Sequence, residues 1–248
     1  MKRPALIGLS LALIVAGVLA WLQLRTPSTR PDNQQSQTEP GAVAFDTPKK
    51  GAHFESSTPA HEQILAGVPV DIVINFNFDL ADNSTIDVKQ NGQSFAVAQT
   101  QIDGNKLSMR RQMAADAPDG IYTVEYQGCW PDRTCHDGHF QFAIDRTQAS
   151  AYQDLRNQAE VTIKMSQLKF QPMNIKISPS TKVTWINDDE VEHYVNTDSH
   201  PAHSQVPGLN SRALTTGGTF NFVFIKPGLY LYHCSAHAAT MTANILVE

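Results

Sequence analysis

Two stretches of this chain hold a thiolate, two imidazoles and a thioether at spacings that suit one metal ion. The first is Trp185-Ile186-Asn187-Asp188-Asp189-Glu190-Val191-Glu192-His193-Tyr194-Val195. The second is Tyr232-His233-Cys234-Ser235-Ala236-His237-Ala238-Ala239-Thr240-Met241. A strand that ends at Cys234 and runs into a short loop brings Cys234, His237 and Met241 to one point. A distant strand supplies His193. Two imidazoles and a thiolate in a trigonal set, with a long axial thioether, make a blue (type 1) copper site. Soft sulfur holds Cu(I), imidazole tolerates Cu(II), and a stiff frame keeps the reorganisation on electron transfer small. The bland alternatives are a buried Cys acting as a small hydrophobe and a His at a polar surface. Their combined spacing favours the metal. His233 sits beside the thiol but is expected to point the other way. His200 and His203, in Ser199-His200-Pro201-Ala202-His203, read as surface loop residues, with a secondary metal role as the alternative.

The cysteine count bears on the same point. The chain has three Cys, at 129, 135 and 234. It opens with Met1-Lys2-Arg3, and residues 4–24 are then almost wholly apolar and uncharged, long enough to cross a bilayer as a helix. The basic start favours a cytoplasmic N-terminus and places the rest outside. The expected location is the periplasmic side of the bacterial inner membrane, on a single N-terminal anchor. A signal peptide cleaved near Val18-Leu19-Ala20, with secretion into the periplasm, is the alternative. Exported thiols pair. Cys129 and Cys135 are close enough in sequence to pair with each other, which leaves Cys234 spare and in need of a reason.

The elements that must position these residues read as β-structure. Val161, Ile163 and Met165 recur at every second position, as do Val183 and Trp185, and Phe220, Phe222 and Phe224. Pro227-Gly228 turns the chain into the strand ending at Cys234. Earlier, Val70, Ile72, Ile74, Phe76 and Phe78 alternate, Asn91-Gly92 signals a hairpin turn, and Tyr122, Val124 and Tyr126 precede Phe140, Phe142 and Ile144. The fold class is all-β: two β-sandwiches after an N-terminal transmembrane helix. The expected divisions are residues 1–25, membrane anchor or signal; 26–50, a polar disordered tether; 51–145, the first sandwich; 146–158, a polar linker with a short helical turn; and 159–248, the second sandwich. A formal net charge of −5 gives no basic footprint, so nucleic acid is excluded as an expected partner.

The region 159–248 resembles the plastocyanin/amicyanin branch of the cupredoxins. It has Val183-Thr184-Trp185-Ile186-Asn187-Asp188-Asp189 before a His, then Tyr232-His233-Cys234-Ser235-Ala236-His237 with Met241 close behind. The resemblance implies a Greek-key sandwich and outer-sphere electron transfer. It gives His193 and His237 the imidazole roles, Cys234 the thiolate and Met241 the axial thioether.

The first sandwich resembles the CopC copper-resistance family in Gly51-Ala52-His53-Phe54-Glu55-Ser56-Ser57-Thr58-Pro59-Ala60, in Gly120-Ile121-Tyr122-Thr123-Val124 and in Asp137-Gly138-His139. It implies an immunoglobulin-like sandwich and a second copper, held by a leading His and by Asp137 and His139. The leading position here is Gly51, and His53 or His136 is the available substitute. Tyr126-Gln127-Gly128-Cys129 with Cys135 is locally similar to the N-terminal domain of the thiol-disulfide reductase DsbD. That likeness implies electron exchange at the Cys pair, against a plain structural disulfide.

The expected function is therefore an exported copper protein, not an enzyme, that acts in electron transfer or in periplasmic copper handling. Delivery or resistance without a carrier role, and thiol-disulfide exchange at Cys129 and Cys135, are the alternatives. The expected partner is a redox protein or a copper-trafficking protein. The absence of paired His-x-His motifs disfavours a multicopper oxidase.

Overall fold

The computed structural model describes residues 43–248. The expected anchor or signal (1–25) and the first part of the expected tether lie outside the described residues. Among the described residues no helix is long and apolar enough to cross a membrane.

Residues 44–248 form one compact unit, all β apart from two short 3-10 turns. The first strands are β1 (Phe54–Thr58), β2 (Ile64–Leu65), β3 (Ile72–Phe76), β4 (Thr85–Gln90), β5 (Gln93–Ser94), β6 (Ala96–Ile102), β7 (Ser108–Met113), β8 (Gly120–Cys129) and β9 (Cys135–Ile144). They make two facing sheets, β1-β3-β7-β6 and β2-β9-β8-β4-β5. Then follow β10 (Gln153–Asp154), β11 (Glu160–Ser166), β12 (Lys169–Gln171), β13 (Asn174–Ile177), β14 (Thr181–Asn187), β15 (Asn196–Thr197), β16 (Thr219–Phe224), β17 (Gly228–His233) and β18 (Thr242–Val247). These make the sheets β10-β13-β18-β17-β15 and β12-β11-β14-β16. The alternation read from the sequence holds in β11 and β14, where Val161, Ile163, Met165, Val183 and Trp185 all point into one core.

Two strands depart from simple alternation for one reason. Strand β17 is buried on both faces. Tyr230, Tyr232 and the adjoining Cys234 join the core of the second sandwich, whereas Leu229 and Leu231 join the core of the first. Strand β3 is likewise buried throughout. Its Asn75, on the face that the sequence reads as polar and outward, lies beneath the loop after β15. There its amide oxygen accepts from Ser204 Oγ (2.7 Å) and Ser108 Oγ (2.8 Å). The two sandwiches thus share buried surface, and polar bonds lock them. Arg110 donates to the carbonyls of Ser204 and Gln205 (2.9 and 3.0 Å) and to Asp103. Lys226 Nζ donates to Val70 O and Asp71 Oδ1. Gly228 makes the close approach feasible: at φ +138 a Cβ would sit 3.1 Å from Val70 Cα and 3.4 Å from Val68 O, in a conformation that favours glycine.

Two expectations about connecting segments are corrected. The end of the expected tether is docked. Lys49 and His139 exchange both backbone hydrogen bonds (2.9 and 2.8 Å), and Asp46 N–H donates to Gln141 Oε1. Strand β2 covers only the Ala143–Ile144 end of β9, so an open edge is left for the chain to fill. The expected linker contains its helical turn, Arg146–Ala151, capped by the Asp145 side chain. It then pairs as β10 alongside β13, so it is packed rather than free. The Asn91-Gly92 turn also forms, with both residues at positive φ. The paired stretch is short, because Ala96 and Val97 cross to the other sheet and pair with β7.

Candidate metal centre

The turn after β14 is built around Asn187, which is fully buried. Its amide donates to Val191 O (2.8 Å) and Leu214 O (2.7 Å), and its oxygen accepts from the Asp189 backbone N–H. This folds residues 188–192 over and presents His193, whose backbone pairs with Leu214. His193 is 0 % exposed. A carboxylate can only accept, so His193 Nε2–H donates to Asp189 Oδ2 (2.8 Å), and the Nδ1 lone pair is left free. The backbone N–H of Leu168, with His193 and the Gln167 N–H, holds the Asp189 carboxyl below its ordinary range.

Strand β17 delivers Cys234, also 0 % exposed and without a disulfide partner. The 3-10 turn Ser235–His237 then swings His237 back. His193 Nδ1 lies 3.5 Å and His237 Nδ1 3.6 Å from Cys234 Sγ. Ligand atoms of His193, Cys234 and His237 all lie within 4.8 Å of one another. The loop is closed by two bonds: Cys234 N–H donates to Met241 O and Met241 N–H to His237 O (both 2.9 Å). Met241 is buried in the same core cluster as Cys234. Tyr194 N–H donates to Cys234 Sγ (3.3 Å). This donor set fits copper: one thiolate-capable sulfur, two imidazoles with their free nitrogens facing it, and a buried thioether tied to the same loop.

Residues 157–248 match the family model for copper binding proteins of the plastocyanin/azurin family, and residues 54–145 match that for the CopC domain. The chain thus carries a region that matches the CopC domain, followed by one that matches the plastocyanin/azurin family of copper binding proteins. Amicyanin-alpha of Methylorubrum extorquens is 29 % identical over 86 residues, which span 35 % of this chain and 70 % of that protein. Among solved structures, the Cu(I) form of an amicyanin mutant overlaps 37 % of this chain and 84 % of its own, at 20 % identity and a TM-score of 0.31. A purple cupredoxin from Nitrosopumilus maritimus overlaps 36 % and 99 %, at 30 % identity and a TM-score of 0.30. Copper is the cofactor that both family assignments carry.

In the CopC domain the expected second set does not come together. Asp137 and His139 share one face of β9 and line one groove. Asp137 accepts from Gln127 Nε2 (2.9 Å), and His139 Nε2 lies 3.2 Å from Thr47 O. His53 is elsewhere: it donates to Asn77 Oδ1 and stacks on Phe78. No group of three among the described residues contains His53, Asp137 or His139. Gly51 stands at the position that the resemblance gives to the leading His. A Cβ on Gly51 would lie 3.4 Å from the carbonyls of His136 and Asp137, so this position adjoins Asp137 but carries no ligand. Gly138 of the same motif has a packing reason, since a Cβ there would clash with the Tyr126 ring and its hydroxyl. Cys129 and Cys135 form a disulfide at the turn end of the β8–β9 ladder.

The structure also assembles three residues that sequence reading kept apart: His200, His203 and His233. His203 is half-buried rather than a free surface residue, and burial, with the His233 and His200 rings beside it, holds its imidazole down to about 4. The available signal was the parity of β17, which turns His233 away from Cys234 towards whatever covers the other face.

Proposed function

We propose that this is an exported copper protein whose His193, Cys234, His237 and Met241 hold a type 1 copper that exchanges single electrons. The observation that carries this reading is the convergence of two imidazole Nδ1 atoms on the buried Cys234 Sγ, at 3.5 and 3.6 Å. When bound there, copper supplies a Cu(I)/Cu(II) couple. The chain supplies the rest. Asp189 fixes the His193 ring, the Tyr194 N–H tempers the thiolate charge, and the bonds between Cys234, His237 and Met241 resist rearrangement. His237 is partly exposed beside the exposed Ala236 and Ala239, which suits contact with a redox partner. Export is supported by the Cys129–Cys135 disulfide, which suits an oxidising compartment, and by the apolar residues 4–24 after a basic start. We read the chain as a carrier or handler rather than a catalyst.

The test is the visible spectrum of the copper-loaded full chain. An intense thiolate-to-Cu(II) band is expected, and Cys234→Ser should abolish it. Survival of the band would place the site elsewhere. The CopC domain supports a second reading, copper handling. A handler releases its Cu(I) to a competing chelator, whereas a carrier retains it through repeated oxidation and reduction.

A further inference from the structure

Strand β17 ends at His233, and the adjoining Cys234 faces the opposite side. On the His233 side, β15 pairs with the strand, Asn196 opposite His233, and the loop that follows folds over it. Asp198 N–H donates to Leu231 O (3.1 Å), and Gln205 N–H donates to Asp198 O (2.8 Å). This fold brings His200 and His203 over His233. The three ring centroids are 5.4, 5.3 and 5.2 Å apart, and one ring nitrogen from each lies within 4.8 Å of the others.

An independent feature of His233 points to a ligand. His233 is 2 % exposed. Its Nδ1–H donates to Asp198 Oδ1 (2.8 Å), which leaves the lone pair on Nε2. That Nε2 is buried and has no hydrogen-bond partner. An unsatisfied buried polar group is costly, and a metal bond would meet it. The carboxylate behind the imidazole is the arrangement that orients metal-bound histidines. His193 has the same device with its nitrogens exchanged: Nε2 faces Asp189 and Nδ1 is free.

The loop is not a loose surface feature. Ser199 Oγ meets Ser56 Oγ (2.8 Å) and accepts from Asn75 Nδ2 (2.9 Å). Arg110 grips the Ser204 and Gln205 carbonyls. The CopC domain therefore holds the second and third imidazoles in place. His203 would exchange one neutral contact for the ion, either Ser235 Oγ at 3.0 Å or Asn196 Nδ2 at 3.3 Å.

We propose that His200, His203 and His233 form a second transition-metal site, for Cu(II), at the junction of the two domains. Three imidazoles without a carboxylate ligand suit Cu(II), Zn(II) or Ni(II), and Cu(II) is bound most tightly of the divalent series. The site shares the His233–Cys234 peptide bond with the candidate type 1 centre, yet it does not depend on that centre being occupied.

The experiment uses the full chain in a Cys234→Ser background, so failure here is distinct from failure of the type 1 reading. The apoprotein is titrated with Cu(II), and bound metal is counted while electron paramagnetic resonance reads the coordinating nitrogens. One tightly bound Cu(II) with several nitrogen couplings is expected. His200→Ala with His203→Ala, at exposed and half-buried positions, should weaken it at least about 100-fold. Asp198→Asn should weaken it about 10- to 100-fold, the usual effect of removing a carboxylate behind a metal-bound imidazole. In the otherwise native chain, the His200→Ala and His203→Ala pair should leave the visible thiolate band in place. Copper affinity unchanged by the double substitution, no tight Cu(II) in the Cys234→Ser chain, or binding of Zn(II) in preference to Cu(II) would each overturn the proposal.

Discussion

Asp189 shows how one carboxylate decides what a histidine can do. By accepting the Nε2 proton of His193 it leaves Nδ1 as the only lone pair, and that nitrogen faces the thiol. Met241 is the member of the set whose role rests most on its chemistry, a buried thioether on the ligand loop. Replacement by Leu conserves volume, so Met241→Leu should change stability by less than about 1.5 kcal/mol. It should nevertheless shift the reduction potential, because the axial donor tunes it. Protein-film voltammetry of the copper-loaded chain measures this, and an unchanged potential would remove Met241 from the ligand set.

Strand β17 is the element on which both cores depend. Its alternate side chains enter different sandwiches, and its last residue, His233, and the adjoining Cys234 face the two histidine clusters. The β8–β9 hairpin closes with a disulfide instead of a longer ladder, Cys129 buried and Cys135 exposed. A bond that closes so short a loop is expected to stabilise the fold by about 2 kcal/mol through the unfolded chain. Cys129→Ala with Cys135→Ala should lower stability by that amount in denaturant unfolding, with the copper band intact. A reduction potential well below about −300 mV is expected of a structural bond. A more oxidising value would favour thiol-disulfide exchange instead.

At the scale of the whole molecule, the shared surface should make residues 44–248 unfold together. Calorimetry of the apoprotein is expected to give one transition; two separated transitions would show that the sandwiches unfold independently. Arg110 is the residue to perturb. Its guanidinium, largely buried, joins Asp103 and Asp71 to the Ser204 and Gln205 carbonyls. Arg110→Ala leaves the half-buried Asp103 without its cation, while Asp71 keeps Lys226, and should cost about 2 kcal/mol. The same change should loosen the loop that carries His200 and His203.

The chemistry of the candidate centre was legible in the sequence because it is local. Cys234, His237 and Met241 lie on one loop, and a spare Cys beside a pairing Cys129 and Cys135 demanded a use. Strand alternation was equally local, which is why β11 and β14 read correctly. What packs on the second face of a strand is not local. Asn75 meets Ser204 across a separation of 129 residues, and no periodicity encodes that contact. For the same reason the docking of residues 44–50, the burial of Leu229 and Leu231 in the other sandwich, and the absence of His53 from the Asp137–His139 face were decided by tertiary structure alone. The sequence determined that Cys234, with His193 and His237, could hold a soft metal. Only the folded chain decided that its neighbour His233, turned the other way by the pleat of β17, would find two more imidazoles waiting.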